Sequence, residues 1–223
     1  MAFRDVLSPT EVESALRLLW ADLGSLGTGI ERGQPSTWHG ERWPGGDGGV
    51  GLISAGMEEY GFTHSGFCWY CRGVPAVKAA FAAIHGTDDL EVSFAGVALM
   101  RPWALEPAWQ TESGWLHLDR SAVGFPGASV DRPTFVQGFI NLLPTHAGSG
   151  GNCIVPRFHK KYAGLVAEFS ESGREFRDEL LAEERPELVE GAMVPHLEAG
   201  DLFLWDVRPP FPVAFAERLG LAS

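Results

Sequence analysis

The chain has 223 residues, of which 45% are hydrophobic and 21% charged, values typical of a globular domain with a sizeable core. Its formal net charge of −12 argues against a nucleic-acid partner, because phosphate binding requires an excess of lysine and arginine. Arg4 is followed at once by Asp5 and not by an apolar core, so we expect no secretory signal, and no apolar run approaches the ~18 residues of a membrane span. We therefore expect a cytoplasmic protein without a membrane partner.

The first predicted element is a helix in the stretch "LSPTEVESALRLLW". Ser8 is placed to cap its N-terminus, with Pro9 at the first helical position and Glu11 completing a capping box. An apolar stripe is predicted along one side of this helix, formed by Leu16, Leu18, Leu19 and Leu23.

A long loop is predicted between Gly40 and Gly56, where glycines are concentrated. Glycine is frequent throughout, at 28 residues of 223, nearly double the average of roughly 7%. The eight tryptophans are expected to anchor the core and the loops, and those near the glycine-rich segment are candidates for lining a substrate pocket.

Cys68 and Cys71, in "CWYC", have the C-x-x-C spacing of a thiol–disulfide motif. A second helix is predicted to begin only at Pro75, and to end at Gly86 in the C′ position, so the cysteines do not adjoin its N-terminus. No pattern of parallel strands precedes them. A structural zinc site needs four ligands, and His64 with the two cysteines supplies only three. We therefore expect the cysteines to pack among apolar side chains.

From Asp88 onward the hydrophobic pattern changes to short strands separated by Gly, Pro or polar turns. Acidic helical segments are predicted near 160–169 and 174–184. We expect a single domain over 1–223, with a helical part at about 1–86 and a strand-rich core at about 88–223. This order favours a mainly β fold with flanking helices around a double-sheet jelly roll. The predicted strands are 90–94, 96–100, 115–119, 134–142, 152–156 and 202–207.

His117 and Asp119 stand two residues apart in the predicted strand "WLHLD". Alternate residues of a strand share a face, and their Cα atoms are ~7 Å apart. One imidazole and one carboxylate, with a histidine from a distant strand, form the facial triad of non-heme Fe(II) oxygenases. A histidine that only hydrogen-bonds its neighbouring carboxylate is the structural alternative.

Three stretches follow the H-x-D pair in order: "TFVQGFINL", "SGGNCIVPRFHK" and "LEAGDLFLWDVR". Together they resemble the phytanoyl-CoA dioxygenase family of Fe(II)/2-oxoglutarate-dependent oxygenases, most specifically from Trp115 to Arg208. The resemblance implies a double-stranded β-helix (a cupin-like jelly roll), with His117 and Asp119 as ligands of Fe(II). It also implies 2-oxoglutarate as co-substrate, with Gln137 as a neighbour, and a small organic substrate.

The resemblance breaks at the third ligand. Aligning "WDVRPPF" with the family pattern places Phe211 where the distal histidine stands, and a phenyl ring cannot coordinate iron. Arg218 is expected to pair with the far carboxylate of 2-oxoglutarate, with Arg208 as the alternative; His196 could substitute as a ligand only from a neighbouring strand. Two hypotheses follow: a dioxygenase with an incomplete triad, or a catalytically inactive relative that retains the barrel as a binding or structural module.

Overall fold

The computed structural model describes residues 1–44, 61–92, 96–110, 117–118, 136–146, 149, 151–157, 168, 171, 190–206 and 212–216, and for 117–118, 206 and 212–216 it describes the backbone. The chain divides into two compact units. We call Arg4–Thr111 with Ala199–Asp201 the helical unit, and Met1–Phe3, Glu112–Glu198 and Leu202–Ser223 the sheet unit. No helix within the described ranges is long and apolar enough to cross a membrane.

The first helix, α1 (Pro9–Ser25), confirms the predicted capping box. The Ser8 hydroxyl oxygen accepts a hydrogen bond from the Glu11 N–H at 3.3 Å, and the Glu11 carboxylate accepts one from the Ser8 N–H at 2.8 Å. Both bonds satisfy N–H groups that have no partner within the helix. The buried side of α1 follows a spacing of three or four residues and consists of Val12, Ala15, Leu19 and Leu23.

Two further helices complete the helical unit, α2 (Gly66–Gly73) and α3 (Pro75–His85). The predicted end of α3 is confirmed: Gly86 has a φ of 69°, a left-handed conformation that glycine adopts without steric cost. Helix α2 was not predicted. Its N-terminus is held by Ser65, whose hydroxyl accepts from the Cys68 N–H, and by Asp22 of α1, which accepts from the Phe67 N–H at 2.7 Å. Short 3-10 turns occupy Pro35–Thr37, Gly40–Arg42, Phe62–His64 and Pro107–Trp109.

Residues 199–201 of the stretch "LEAGDLFLWDVR", which we call the "AGD" motif, hold the start of the helical unit. Gly200 has a φ of +98°, and a Cβ atom there would overlap the carbonyl oxygen of Leu7. The Leu7 N–H donates to Gly200 O at 3.0 Å. Asp201 is completely buried, forms an ion pair with Arg4 and accepts from the Asp5 N–H at 3.1 Å. The motif therefore ties residues 199–201 to residues 4–7.

The described strands of the sheet unit are β1 (Ala2–Phe3), β2 (His117–Leu118), β3 (Val136–Ile140), β4 (Gly151–Ile154), β5 (Leu202–Asp206) and β6 (Pro212–Ala216). Within the described ranges they form two antiparallel sheets of three strands each. The first sheet has the order β1-β5-β3 and the second has the order β2-β6-β4. The strand pairs are nested in the sequence. Strands β3 and β5, which pair in the first sheet, both lie between β2 and β6, which pair in the second sheet.

The predicted strands had different outcomes. Those at 134–142, 152–156 and 202–207 correspond to β3, β4 and β5, and β2 lies within the strand predicted at 115–119. The prediction at 96–100 is wrong, because these residues form no strand beyond a single bridge at Ala98, and in 90–94 the described residues 90–92 form no strand while 93–94 lie outside the described residues. Strand propensity needs a neighbouring strand to pair with. The acidic helices predicted near 160–169 and 174–184 lie almost wholly outside the described residues.

Packing within the first sheet explains the glycine of "VQG". A Cβ atom on Gly138 would overlap the side chain of Leu204 on β5 and would lie 2.8 Å from the carbonyl oxygen of Phe203. Leu204 is 2% exposed, so its side chain has little room to move away. The close approach of β3 and β5 therefore requires glycine at this position.

Candidate functional site

The H-x-D pair begins on β2, which pairs with β6. His117 lies opposite Val213, and Leu118 lies opposite Pro212. The backbone of His117 therefore lies in a strand, as predicted, and this strand is an outer one of the described second sheet. Asp119, Arg208, Phe211 and Arg218 lie outside the described residues, and their predicted roles stay predictions.

A cross-strand row connects His117 with β4. Val213 of β6 also lies opposite Ile154, so His117, Val213 and Ile154 occupy one row across the second sheet. Directly opposed residues belong to the same face of an antiparallel sheet. Asn152, two residues before Ile154, belongs to that face as well.

Asn152 is a polar residue in the buried strand β4. It is 6% exposed, and its side-chain oxygen Oδ1 has no hydrogen-bond partner among the described residues. Leaving a buried acceptor without a partner costs about 1–3 kcal/mol. The sequence analysis missed this residue, although a single amide within the apolar stretch "NCIV" is a visible signal.

Gln137, the predicted neighbour of 2-oxoglutarate, lies on β3 in the first sheet. It is exposed and stands opposite Trp205 of β5. Phe139 and Phe203 are the next opposed pair on the same face. The rings of Phe139 and Trp205 are 5.9 Å apart, and those of Phe203 and Trp205 are 6.1 Å apart. Gln137 therefore adjoins an aromatic surface on β3 and β5.

His196, the weaker candidate for a third ligand, is engaged at the surface of the sheet unit. Its side chain is 73% exposed, and its Nε2 atom lies 3.3 Å from a carboxylate oxygen of Glu198. Its ring lies 6.5 Å from that of His146 in an edge-on arrangement. Among the described residues, no group of three or more His, Cys, Asp or Glu side chains could hold a metal ion.

The C-x-x-C cysteines lie on α2 as unpaired, buried thiols, as expected from the sequence. Burial raises the pKa of Cys68, and burial together with the neighbouring Cys68 raises the pKa of Cys71 to about 12. Burial likewise raises the pKa of Cys153, on β4, to about 11. Because the thiolate is the reactive form, these values argue against a redox role for the three cysteines.

The helical unit contains a cluster of tryptophans around one arginine. Arg101 is 3% exposed, and its guanidinium lies 5.0 Å from the ring centroid of Trp43 and 5.2 Å from that of Trp109. Its Nη1 atom donates to the carbonyl oxygen of Trp38 at 2.9 Å. Trp38 in turn stacks on Trp20, with 5.5 Å between ring centroids. These contacts agree with the expected anchoring role, since cation–π pairs and stacking fix the loops onto α1.

Comparisons with known proteins give one informative similarity. The chain is 27% identical over 226 residues to the "Ava biosynthesis cluster protein O" of Aspergillus versicolor, and the match covers 96% of this chain and 68% of that protein. No family model matches the chain, and no solved structure matches it. The chain is thus distantly similar, over nearly its whole length, to a protein of a biosynthesis cluster.

Proposed function

We propose that this protein is an Fe(II)/2-oxoglutarate-dependent oxygenase that hydroxylates a small organic molecule as a tailoring step of biosynthesis. The observation that carries the proposal is the H-x-D pair, whose His117 lies on β2, together with the pairing of β2 with β6. The similarity to a biosynthesis cluster protein supports a role in biosynthesis.

The register of β2 and β6 supports the alignment that sets Phe211 at the third ligand position. His117 opposes Val213 and Leu118 opposes Pro212. The same register, continued by one residue beyond the described strands, would set position 119 opposite position 211. A side chain at 211 would then belong to the face of His117 and Asp119, where a third ligand is needed.

The nesting of the strand pairs supports a jelly-roll fold. A jelly roll arises when one long antiparallel hairpin is rolled up, so that successive pairs alternate between two sheets. The β2·β6 pair encloses the β3·β5 pair in sequence, and the two lie in different sheets. A simple meander would instead pair strands that follow one another along the chain.

The residues of the chain have separate tasks in the proposed site. The imidazole of His117 and the carboxylate of Asp119 would hold Fe(II), a combination of donors that suits this ion. Bound iron with 2-oxoglutarate would supply O₂-dependent hydroxylation, with release of succinate and CO₂. Arg218, or Arg208 as the alternative, would pair its planar guanidinium with a carboxylate of 2-oxoglutarate, and Gln137 would adjoin it.

Phe211 favours a second candidate function, a catalytically inactive relative that uses the same fold to bind a ligand. A phenyl ring contributes no donor atom, so the chain itself would offer two ligands where the facial triad has three. Iron would be held more weakly, and solvent or an external ligand would occupy the vacant position. The two candidates differ in whether bound iron turns over 2-oxoglutarate.

Fe(II) binding and succinate release distinguish the two candidates. We expect the wild-type protein to bind about one Fe(II) under anaerobic dialysis, and His117→Ala to lower the affinity at least about tenfold, as even loss of an outer partner can do. His146→Ala is the matched control, because His146 is an exposed histidine of the same unit. Succinate formed from 2-oxoglutarate in air supports the oxygenase. Iron binding without succinate supports the inactive relative. A wild-type affinity for Fe(II) no higher than that of His117→Ala contradicts the assignment of His117 and Asp119 as iron ligands.

A further inference from the structure

The face of the second sheet that carries His117 also carries a buried amide whose oxygen is unsatisfied. Asn152 is 6% exposed, and its Oδ1 atom has no hydrogen-bond partner in the described part of the chain. Buried polar groups are nearly always hydrogen-bonded, and an exception in a native structure calls for a specific explanation. A ligand that supplies the missing donor is one such explanation.

The position of Asn152 relative to His117 fits a ligand of modest size. Ile154 lies in the row of His117, and Asn152 lies two residues along the same strand. With strands ~4.8 Å apart and a rise of ~3.4 Å per residue, the Cα atoms of His117 and Asn152 are separated by about 12 Å. A small organic molecule that reacts at a metal held by His117 could therefore extend to the amide of Asn152.

A second buried asparagine in the sheet unit shows what a structural role looks like. Asn141 is also 6% exposed, but its Nδ2 atom donates to the carbonyl oxygens of Leu143, Leu197 and Glu198. These bonds tie the end of β3 to residues 197–198, and they account fully for an amide at that position. The side-chain oxygen of Asn152 has no comparable hydrogen bond to any described residue.

We propose that Asn152 is a specificity-determining residue, whose Oδ1 atom accepts a hydrogen bond from a hydroxyl or N–H group of the organic substrate. The assignment of that ligand as a substrate rests on the proposed function, whereas the requirement for a donor rests on Asn152 alone. 2-Oxoglutarate does not meet the requirement, because its ionised carboxylates are acceptors only. The donor must therefore belong to the second, organic ligand.

The first test compares the two asparagines by stability. Leucine has the same branching as asparagine and carries no polar group, but its two methyl groups are larger than the oxygen and NH₂ that they replace, so some overpacking acts on both variants. We expect Asn152→Leu to raise the melting temperature by about 2–6 °C, because it removes an unsatisfied buried acceptor. Asn141→Leu should lower the melting temperature by a similar amount, because it removes satisfied bonds. A melting temperature of Asn152→Leu lowered as far as that of Asn141→Leu, which carries the same change in size, would assign the residue to the fold and would overturn the proposal.

The second test measures recognition of a donor. Ligand-observed NMR titrations use matched pairs that differ by one N–H or O–H group: indole and 1-methylindole, phenol and anisole, 2-naphthol and 2-methoxynaphthalene. We expect the wild-type protein to bind the donor member of at least one pair about 3- to 10-fold more tightly, the range of one net hydrogen bond. In Asn152→Leu this ratio should fall to about one, whereas Asn141→Leu should retain it.

The titrations are made with and without Fe(II), so that a failure of the oxygenase proposal remains distinct from a failure of this one. Donor selectivity that depends on Asn152 supports the inference, whether or not succinate is formed. The inference is overturned if the wild-type protein binds no pair, if it binds both members equally, or if Asn152→Leu retains the selectivity. In each of these cases Oδ1 is hydrated or tolerated in the fold, and it does not recognise a ligand.

Discussion

Asp201→Ala tests whether the "AGD" motif holds the start of the helical unit. Asp201 is completely buried and accepts hydrogen bonds from the Arg4 side chain and the Asp5 N–H. Alanine at position 201 removes the acceptor for both groups. The hydrogen bond from the Leu7 N–H to Gly200 O would remain.

The expected cost follows from the surroundings of each partner. The Arg4 side chain is 56% exposed, so water can replace its ion pair, and that part contributes about 0–1 kcal/mol. The bond from the Asp5 N–H to a buried carboxylate contributes about 1.5–3 kcal/mol. We therefore expect Asp201→Ala to lower the free energy of unfolding by about 2–4 kcal/mol.

Urea denaturation followed by circular dichroism measures this cost, with three comparisons. Arg4→Ala should cost less than about 1 kcal/mol, and Asp201→Asn should cost less than Asp201→Ala because an amide oxygen still accepts from the Asp5 N–H. Glu198→Ala is the control at a surface carboxylate, where the pair with His196 is exposed on both sides and the loss should be below about 0.5 kcal/mol. Equal losses for Arg4→Ala and Asp201→Ala would refute the reasoning, because the ion pair would then be the dominant contact.

Three further predictions concern single positions. Gly138→Ala should lower the free energy of unfolding by about 1–3 kcal/mol, because its Cβ would overlap Leu204. In a chain that also carries Leu204→Ala, the added methyl group should cost less, and a double-mutant cycle measured by urea denaturation would show this. Since the pKa values of Cys71 and Cys153 are raised to about 12 and about 11, iodoacetamide at pH 8 should alkylate them at least about 100-fold more slowly than free cysteine, as mass spectrometry can follow. The same shifts leave the stability of the fold unchanged below about pH 9, where the thiols are protonated in both states, and the stability should fall as the pH rises from about 9 to 11–12, where the unfolded state alone loses the protons. Ser8→Ala should cost about 1 kcal/mol, measured in urea, and an unchanged stability would show that the capping box is dispensable.

Local signals in the sequence predicted the helix ends correctly. The capping box of α1 lies within four residues, from Ser8 to Glu11, and the stop of α3 depends on a single glycine. Interactions of this range are encoded next to one another in the chain, so the sequence alone identifies them.

Elements that depend on distant partners escaped prediction. Helix α2 has glycine at both ends, and its N-terminus depends on Asp22, 45 positions away from Phe67. Strand β1 has two residues and pairs with β5, with Ala2 opposite Phe203. Conversely, 90–94 and 96–100 have strand composition, yet their described residues form only the single bridge at Ala98. An apolar pattern alone does not make a strand, because a strand also needs a neighbour with which to pair.

The candidate site divides in the same way. The residue types of the H-x-D pair could be read from the sequence, because the spacing of two proposed ligands on one strand is a local pattern. The row that joins His117 to Ile154, and hence the position of Asn152, depends on which strands pair and in which register. No local pattern encodes that register, so the unsatisfied amide could be identified only from the structure.

Phe211→His is the sharpest test of the alignment on which the function depends. If the register of β2 and β6 continues as proposed, a histidine at 211 faces Asp119 and completes the triad of ligands. Removing a side chain that only hydrogen-bonds to a metal ligand changes metal affinity about 10- to 100-fold. A new direct ligand should therefore raise the affinity for Fe(II) at least about tenfold. Phe215→His is the matched control, because it places the same imidazole on the same strand about 14 Å further along, and it should leave the affinity near that of the wild type.

Succinate release by Phe211→His then separates the two candidate functions. An oxygenase limited by weak iron binding should form succinate faster in proportion to its iron occupancy, whereas an inactive relative should gain iron without gaining turnover. Equal iron affinities for Phe211→His and Phe215→His would mean that position 211 does not face Asp119. The assignment of β6 as the strand that follows the third ligand would then be wrong, and with it the proposed iron site.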